Sequence, residues 1–389
     1  MAENDRSFMN RRDLTLGAMA GGASLLFSAA ALAQQDAPAN RNFVDVTKVD
    51  AIGDGKTDST AALQHAIDAA AEASGAVFVP PGVYLTHELH MRPGIALVGI
   101  PSWNYGGPGG STLRLASADS SCLLNLTDGR GSTVDGLALD GRGLGKNIHG
   151  IFVDRTEYAK HEDGFRIENC QVARFSGDAA SLMKVWCFSV RHSMFAYCQG
   201  DGLNLRGWDG FLLDNWFSGN RRAGFAARYE NASITFTGNR IEWNGEENML
   251  VAGGDGYQIT GNFFDRAGTC ALALRRNNAT CTQFAITGNF FKRSGKNAAL
   301  ETDDSAQLFF DGASGVTCVG NNIQAGRDDG NTGKFSPSYG IVYKGLRDSV
   351  ISNNVLHSGA LKQLLLDLGE HGDGVVVKDN PGSLFDGKR

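Results

Sequence analysis

The feature that most constrains this chain is a phrase that occurs three times. Ser-Ile-Thr-Phe-Thr-Gly-Asn ends at Asn239, Tyr-Gln-Ile-Thr-Gly-Asn at Asn262, and Gln-Phe-Ala-Ile-Thr-Gly-Asn at Asn289. Each is followed by a short apolar piece: Arg240-Ile241-Glu242, Phe263-Phe264-Asp265 and Phe290-Phe291-Lys292. Taking the residue that closes each hydrophobic run extends the series to Asp140, Asn169, His192, Asn215, Asn239, Asn262, Asn289, Asn321, Asn353 and Asn380. By subtraction the steps are 29, 23, 23, 24, 23, 27, 32, 32 and 27 residues. Self-similarity at such a period is the mark of a solenoid. Runs inside the units alternate, as in Gly202-Leu203-Asn204-Leu205-Arg206, and Gly, Asn and Asp mark the breaks, so the units are strands and turns. Three short strands per unit make one coil of a parallel β-helix, stacked about 4.8 Å on the next. Asn at a recurring turn suits left-handed geometry, and its side chain can hydrogen-bond its copy in the next coil.

Composition agrees. Fifty-one glycines and only 8 prolines in 389 residues fit many tight turns without a collagen period. With a net charge of −6, nothing in the bulk charge suggests a nucleic-acid binder. Removing residues 1–33 takes away three acids (Glu3, Asp5, Asp13) and three bases (Arg6, Arg11, Arg12), so the charge stays −6. Seven scattered cysteines read neither as a disulfide framework nor as a zinc site. They are expected as buried apolar residues, with one bridge between Cys270 and Cys281 left open.

Residues 1–33 read as a twin-arginine signal peptide. Arg11-Arg12 precedes a small apolar run from Gly17 to Leu32 and an Ala31-Leu32-Ala33 end. The expectation is a removable signal with no stable membrane anchor, and a mature protein that is periplasmic or secreted. Residues 34–42 read as a linker, and 43–389 as a single domain. Phe43-Val44-Asp45-Val46 reads as a strand. Asp58 or Ser59 should cap a helix that runs to about Ala73 with Leu63, Ala66, Ile67 and Ala70 on one face.

The segment Asp-Ala-Ile-Gly-Asp-Gly-Lys-Thr-Asp-Ser-Thr-Ala-Ala-Leu-Gln-His-Ala-Ile-Asp, followed by Val-Phe-Val-Pro-Pro-Gly-Val-Tyr, resembles the opening of the pectate-lyase-like superfamily. That group includes polygalacturonases, exo-glucanases, phage tailspikes and polysaccharide lyases. The resemblance implies an all-β, right-handed parallel β-helix, here of about ten coils, with a short N-terminal capping α-helix over its open end. It also implies an active groove over the sheet that follows the Asn turn by one strand and one further turn. One fold hosts many reactions, so activity must be argued from the site.

On that sheet the outward positions read Phe152 and Asp154, Ser181 and Met183, Asn204 and Arg206, Ala226 and Arg228, Ala273 and Arg275, then Glu301 and Asp303. Two features stand out. Asp178 and Asp201 are 23 residues apart, so they are expected about 5 Å apart on neighbouring coils. Like charges so placed raise one pKa and give an acid beside a base, as a glycosidase requires. The plainer alternative is that both hold turns. Asp209 and Glu230 end neighbouring strands and are second candidates; Glu242 and Asp265, also 23 apart, are third. The other feature is the row Arg206, Arg228 and Arg275, whose forks would bind carboxylates of an anionic glycan or else sit in salt bridges to Glu230, Asp209 or Asp303. Trp208 and Tyr229 adjoin the row and would hold a sugar ring.

The leading expectation is an enzyme that cleaves or rearranges glycosidic bonds in a polysaccharide, hydrolase or transglycosylase ahead of lyase. Lyase chemistry would draw on Lys184, Arg206, His192 or Tyr229. The tryptophan-x-Asp-His segment of pectate lyases is missing, as are the Asp-Asp, Gly-His-Gly and Arg-x-Lys motifs of polygalacturonases. A non-catalytic glycan-binding or structural β-helix is the rival. No cofactor is expected; Asp303-Asp304 and Asp328-Asp329 would suit calcium, without a recognisable ligand loop. The expected partner is a polysaccharide, with no nucleic acid. Trimers occur in this fold, and nothing in the sequence decides the oligomeric state.

Overall fold

The computed structural model describes residues 43–101, 109–326 and 335–387. The export segment, the linker, Trp103 and Tyr105, Asp328-Asp329 and Lys388-Arg389 lie outside the described residues.

The chain winds as a right-handed parallel β-helix. Each full coil has three faces. A short strand, such as Trp216–Ser218, belongs to an eleven-stranded parallel sheet. A corner then leads into a long strand, such as Ala180–Arg191, that bends in its middle and supplies two faces. The bend is visible as a register irregularity between Met183 and Val185, where Lys184 takes a left-handed φ of 56°. One coil on, the irregularity recurs between Leu205 and Gly207. The halves before and after the bend are called here the leading and trailing faces.

Alternation decides what is inside. On the leading face Ala180, Leu203, Phe225, Met249 and Leu272 stack in register and point inward. On the short-strand face the middle residue of each triplet does so, as Phe217, Ile241, Phe264 and Phe291. Rings stack from coil to coil: Tyr257 on Phe284 at 4.9 Å and Phe264 on Phe291 at 4.7 Å. The first coil is closed by α1 (Thr60–Glu72), which buries Leu63, Ala66, Ile67 and Ala70 against the opening strands, the face expected from sequence. Ser59 occupies the cap position, but Asp58 supplies the acceptor, taking the Thr60 N–H at 2.9 Å.

The Asn turn is a ladder. The side-chain amide of Asn215 donates to the Asn239 oxygen at 3.1 Å, Asn239 to Asn262 at 3.1 Å, Asn262 to Asn289 at 3.0 Å, Asn289 to Asn321 at 3.0 Å, Asn321 to Asn354 at 2.9 Å, and Asn354 to Asn380 at 2.9 Å. Four positions read from sequence need correction. Asn169, His192 and Asn353 sit one residue before the ladder, where Gly238, Gly261 and Gly288 also sit, and all take positive φ. The rungs in those coils are Cys170, Ser193 and Asn354. Asp140 closes the short strand Leu137–Asp140 and is gripped there by Arg114 and Arg174.

All seven cysteines are free, and all but Cys187 are buried. Cys270 and Cys281 therefore form no bridge. Among the described residues no helix is long and apolar enough to cross a membrane.

Candidate active groove

The register fixes which residues meet at the corner entering the leading face. Ile151 pairs with Ala180, Ala180 with Leu203, Leu203 with Phe225, and Phe225 with Met249. Two residues earlier in each coil gives one row: His149, Asp178, Asp201, Ala223 and Glu247. The two aspartates are thus adjacent, as their spacing requires, and His149 joins them from the coil before.

The pair is not symmetric. Asp201 is fully buried. Arg228 holds both its oxygens, Nη1 to Oδ2 at 2.5 Å and Nη2 to Oδ1 at 3.1 Å, and Oδ1 also accepts the Ala223 N–H at 2.9 Å. This carboxylate, expected from the sequence to share the chemistry with Asp178, is buried and turned into Arg228. Asp178 keeps an open edge, with 9% of its side chain exposed. Its Oδ1 accepts the Asp201 N–H at 2.7 Å. Its Oδ2 lies 3.4 Å from the Asn204 amide and 3.5 Å from His149 Nδ1. Burial and then the Asp201 charge push the Asp178 carboxyl above the usual carboxylate range.

His149 is the functional candidate that the sequence reading missed. Its Nδ1 accepts the Asp178 backbone N–H at 3.1 Å, and its ring stacks on Phe152 at 5.0 Å. Burial lowers its pKa, so the ring is held neutral. With Nδ1 accepting, the proton of the neutral ring is assigned to Nε2. Further along the corner, burial first raises the Glu246 carboxyl while Arg222 opposes it. Arg222 lies between Asp201 and Glu246, at 3.8 and 3.7 Å.

The arginine row exists, and every member is paired. Arg206 binds both oxygens of Glu230, at 2.5 and 2.9 Å, and this bond holds Glu230 below the usual carboxylate range. Arg228 binds Asp201. Arg275 meets Glu247 at 3.0 Å and also Asp304. Of the partners expected, only Glu230 is the one found. Glu301 and Asp303 are not on the leading face: the strand pairing with Leu272–Arg275 is Ala306–Asp311, and Ala273 faces Phe309. Beyond the Arg228 coil the outward residues Leu250, Ala273, Phe309 and Val342 are buried in a second apolar cluster with Ala226.

Arg206, Trp208, Tyr229 and Glu230 do come together, with Asn277, on a cleft of about 400 Å³ at the bend beside the leading face. Trp208 stacks on Tyr158 at 3.9 Å, and Arg206 lies over Tyr229 at 5.6 Å. Asp209 is elsewhere: it takes a φ of 54° on the trailing face and lines a different cleft with Cys187, Phe188 and Phe211. Of the lyase candidates, His192 pairs with Asp214 at 3.4 Å at the Asn corner, and Lys184 donates to the Thr156 carbonyl. Glu242 and Asp265 are buried on the short-strand face against Arg240 and Arg293. Among the described residues no group of three or more His, Cys, Asp or Glu is placed to hold a metal ion.

Residues 43–106 match the family model for rhamnogalacturonase A/epimerase, pectate lyase-like, and residues 144–291 match that for a right-handed β-helix region. Among solved structures, the A-module of a mannuronan C-5 epimerase from Azotobacter vinelandii is 19% identical with a TM-score of 0.54, over 87% of this chain and 99% of that one. DFA-IIIase from Arthrobacter chlorophenolicus, solved without its lid, is 15% identical with a TM-score of 0.64, over 89% and 99%. A mutant of that enzyme in complex with DFA-III is 15% identical with a TM-score of 0.61, over 86% and 87%. At these identities the likeness is one of fold.

Proposed function

We propose that this chain, which belongs to the pectate-lyase-like superfamily of right-handed β-helices, is a carbohydrate-active enzyme that cleaves or rearranges glycosidic bonds in a neutral polysaccharide, with Asp178 as its general acid. The observation that carries this reading is the Asp178–His149 contact: at 3.5 Å, at the corner entering the leading face, a carboxyl pushed up by burial sits beside an imidazole held neutral by burial, and each side chain keeps a small exposed edge. A protonated carboxyl is what a departing glycosidic oxygen needs, and such proton transfer contributes about 10²- to 10⁴-fold to rate. Since Asp178 Oδ1 accepts the Asp201 N–H, the transferable proton belongs on Oδ2. The His149 Nε2–H is then free to hydrogen-bond a sugar oxygen.

The case for a neutral glycan comes from the arginines. A β-elimination must neutralise a uronate, and Arg206, Arg228 and Arg275 are already neutralised by acids of this chain. The cleft with Trp208 and Tyr229 gives rings and a fixed ion pair beside the leading face, suited to seating a sugar next to the acid. The Arg11-Arg12 segment supports a periplasmic or secreted site of action.

A second reading has its own support. Asp178 and Asp201 each accept the N–H of the equivalent residue one coil on, which is ladder chemistry and would suffice in a non-catalytic glycan-binding protein. A panel of neutral and acidic polysaccharides separates the readings. New reducing ends from neutral glycans support the proposal. Ultraviolet absorbance of an unsaturated uronate would replace it with a lyase, and silence throughout would leave the binding reading.

A further inference from the structure

The corner that carries Asp178 also carries two charged side chains whose hydrogen-bonding capacity is unspent. One residue before the row of Asp178 and Asp201, the main chain forms a ladder of its own. The Gly200 N–H donates to the Gly177 carbonyl at 2.8 Å, Arg222 to Gly200 at 3.2 Å, and Glu246 to Arg222 at 3.3 Å. Gly177 and Gly200 present no side chain there, and a Cβ on Gly200 would fall 2.2 Å from Asp178 Oδ1. The first side chains met along this row from Asp178 are therefore Arg222 and Glu246.

These two differ from their charged neighbours. Arg206, Arg228 and Arg275 each hold a carboxylate at hydrogen-bonding distance. The Arg222 guanidinium approaches Asp201 only to 3.8 Å and Glu246 only to 3.7 Å, and Glu246 meets Arg228 at 3.8 Å. Neither the Arg222 nor the Glu246 side chain makes a hydrogen bond among the described residues, and both stay open, at 45% and 44% exposure. The guanidinium donors and the carboxylate acceptors are thus available to a ligand. Because Arg222 reaches back to Asp201, its charged end lies by the coil next to that of Asp178, about 4.8 Å along the axis.

We propose that Arg222 and Glu246 bind the hydroxyls of the sugar residue next to the bond that Asp178 protonates. The inference rests on the proposed function and adds a substrate-binding pair to it. One coil is comparable to the advance of one residue in an extended glycan, so a chain lying over Asp178 brings its next sugar to Arg222. The planar fork donates to two neighbouring hydroxyl oxygens at once, while the Glu246 carboxylate accepts a hydroxyl proton. Hydroxyls both donate and accept, so a neutral sugar satisfies the two groups together. A uronate does not, because its charge would be pressed against Asp201 and Glu246, which flank the same guanidinium. Holding the neighbouring sugar fixes the departing oxygen over Asp178.

Initial rates of reducing-end release from soluble xylan, mixed-linkage β-glucan and galactomannan, taken across substrate concentration, test it for wild type, Arg222→Gln, Arg222→Lys and Glu246→Ala. On the glycan that wild type turns over, KM should rise about ten-fold in Arg222→Gln, the loss expected for one charge-assisted hydrogen bond, with kcat little changed. Glu246→Ala should give a smaller rise of the same kind. Arg222→Lys keeps the charge without the fork and should stay close to Arg222→Gln. Melting midpoints near that of wild type, as two half-exposed side chains require, establish that the fold is retained. An unchanged KM in Arg222→Gln would overturn the inference while leaving Asp178 as the acid. So would an Arg222→Lys indistinguishable from wild type, since Arg222 would then serve only as a charge beside Asp178, Asp201 and His149. A wild type silent on all these glycans would instead overturn the proposed function, and the inference with it.

Discussion

One oxygen of Asp178 accepts the main-chain N–H of Asp201 at 2.7 Å, while the Asp201 carboxylate is turned away into both arms of Arg228. Two acids at equivalent positions of neighbouring coils therefore do different work. One is anchored through one oxygen, and its other oxygen, 3.4 Å from the Asn204 amide, is the one to which the proposed function assigns the transferable proton. The other is spent on an ion pair. Exchanging each for its neutral counterpart should separate those roles.

Asp201→Ala takes from the largely buried Arg228 guanidinium its close, two-pronged partner and leaves it only Glu246, at 3.8 Å. Removing one member of a buried ion pair costs about 3–5 kcal/mol, so a clear fall in the denaturation midpoint is expected. Arg206→Ala removes the more exposed pair with Glu230, whose own side chain is 63% exposed. That change should stay within about 1 kcal/mol and show its effect in a raised KM. Equal stability losses from the two would contradict the asymmetry.

The Asn ladder makes a third expectation. The buried Asn262 side chain donates to Asn289 and to the Phe236 carbonyl and accepts from Asn239 twice. Four hydrogen bonds at about 1 kcal/mol each, with partners left stranded, put Asn262→Ala at roughly 3–5 kcal/mol. Chemical denaturation followed by circular dichroism measures it. A loss below about 1 kcal/mol would mean that solvent replaces the ladder at no cost.

The pH dependence follows from two opposite shifts. The folded state binds the Asp178 proton more tightly than the unfolded chain does, so Asp178 favours folding at low pH. That contribution is lost as pH rises from its ordinary value of 3.8 through its raised folded value. His149 is the reverse: its folded value lies below 6.5, so its contribution is present above 6.5 and is lost as pH falls through the window beneath. His149→Gln should flatten the loss of stability on acidification below about 6.5, and Asp178→Asn the loss on the alkaline side of 3.8. Melting midpoints across pH for wild type and both variants check the signs. The turnover rate should also fall as Asp178 ionises, and Asp178→Asn should abolish that limb.

Much of the architecture was legible because a solenoid repeats its physics in every coil. The Thr-Gly-Asn units gave the period, the period placed Asp178 beside Asp201, and the apolar face of α1 was readable from Leu63, Ala66, Ile67 and Ala70. The ladder was misplaced by one residue at His192 and Asn353 because the left-handed residue and the rung are adjacent, and residues 353 and 354 are both Asn. Arginine partners were not legible, because a long side chain reaches across coils: Arg228 finds Asp201 in the coil before and Arg275 finds Asp304 in an insertion. His149 was missed because it precedes the regular repeat. It lies 29 residues before Asp178, where the step from Asp178 to Asp201 is 23, so the period read from the later coils does not reach it.

The central claim is that Asp178 donates a proton to a departing sugar. Its most direct measurement is the release of reducing ends from a soluble neutral polysaccharide by wild type and by Asp178→Asn, with melting midpoints recorded for both. The account predicts turnover by wild type, a loss of about 10²- to 10⁴-fold in the variant, and retention of the fold. A folded Asp178→Asn that turns over at the wild-type rate would contradict it.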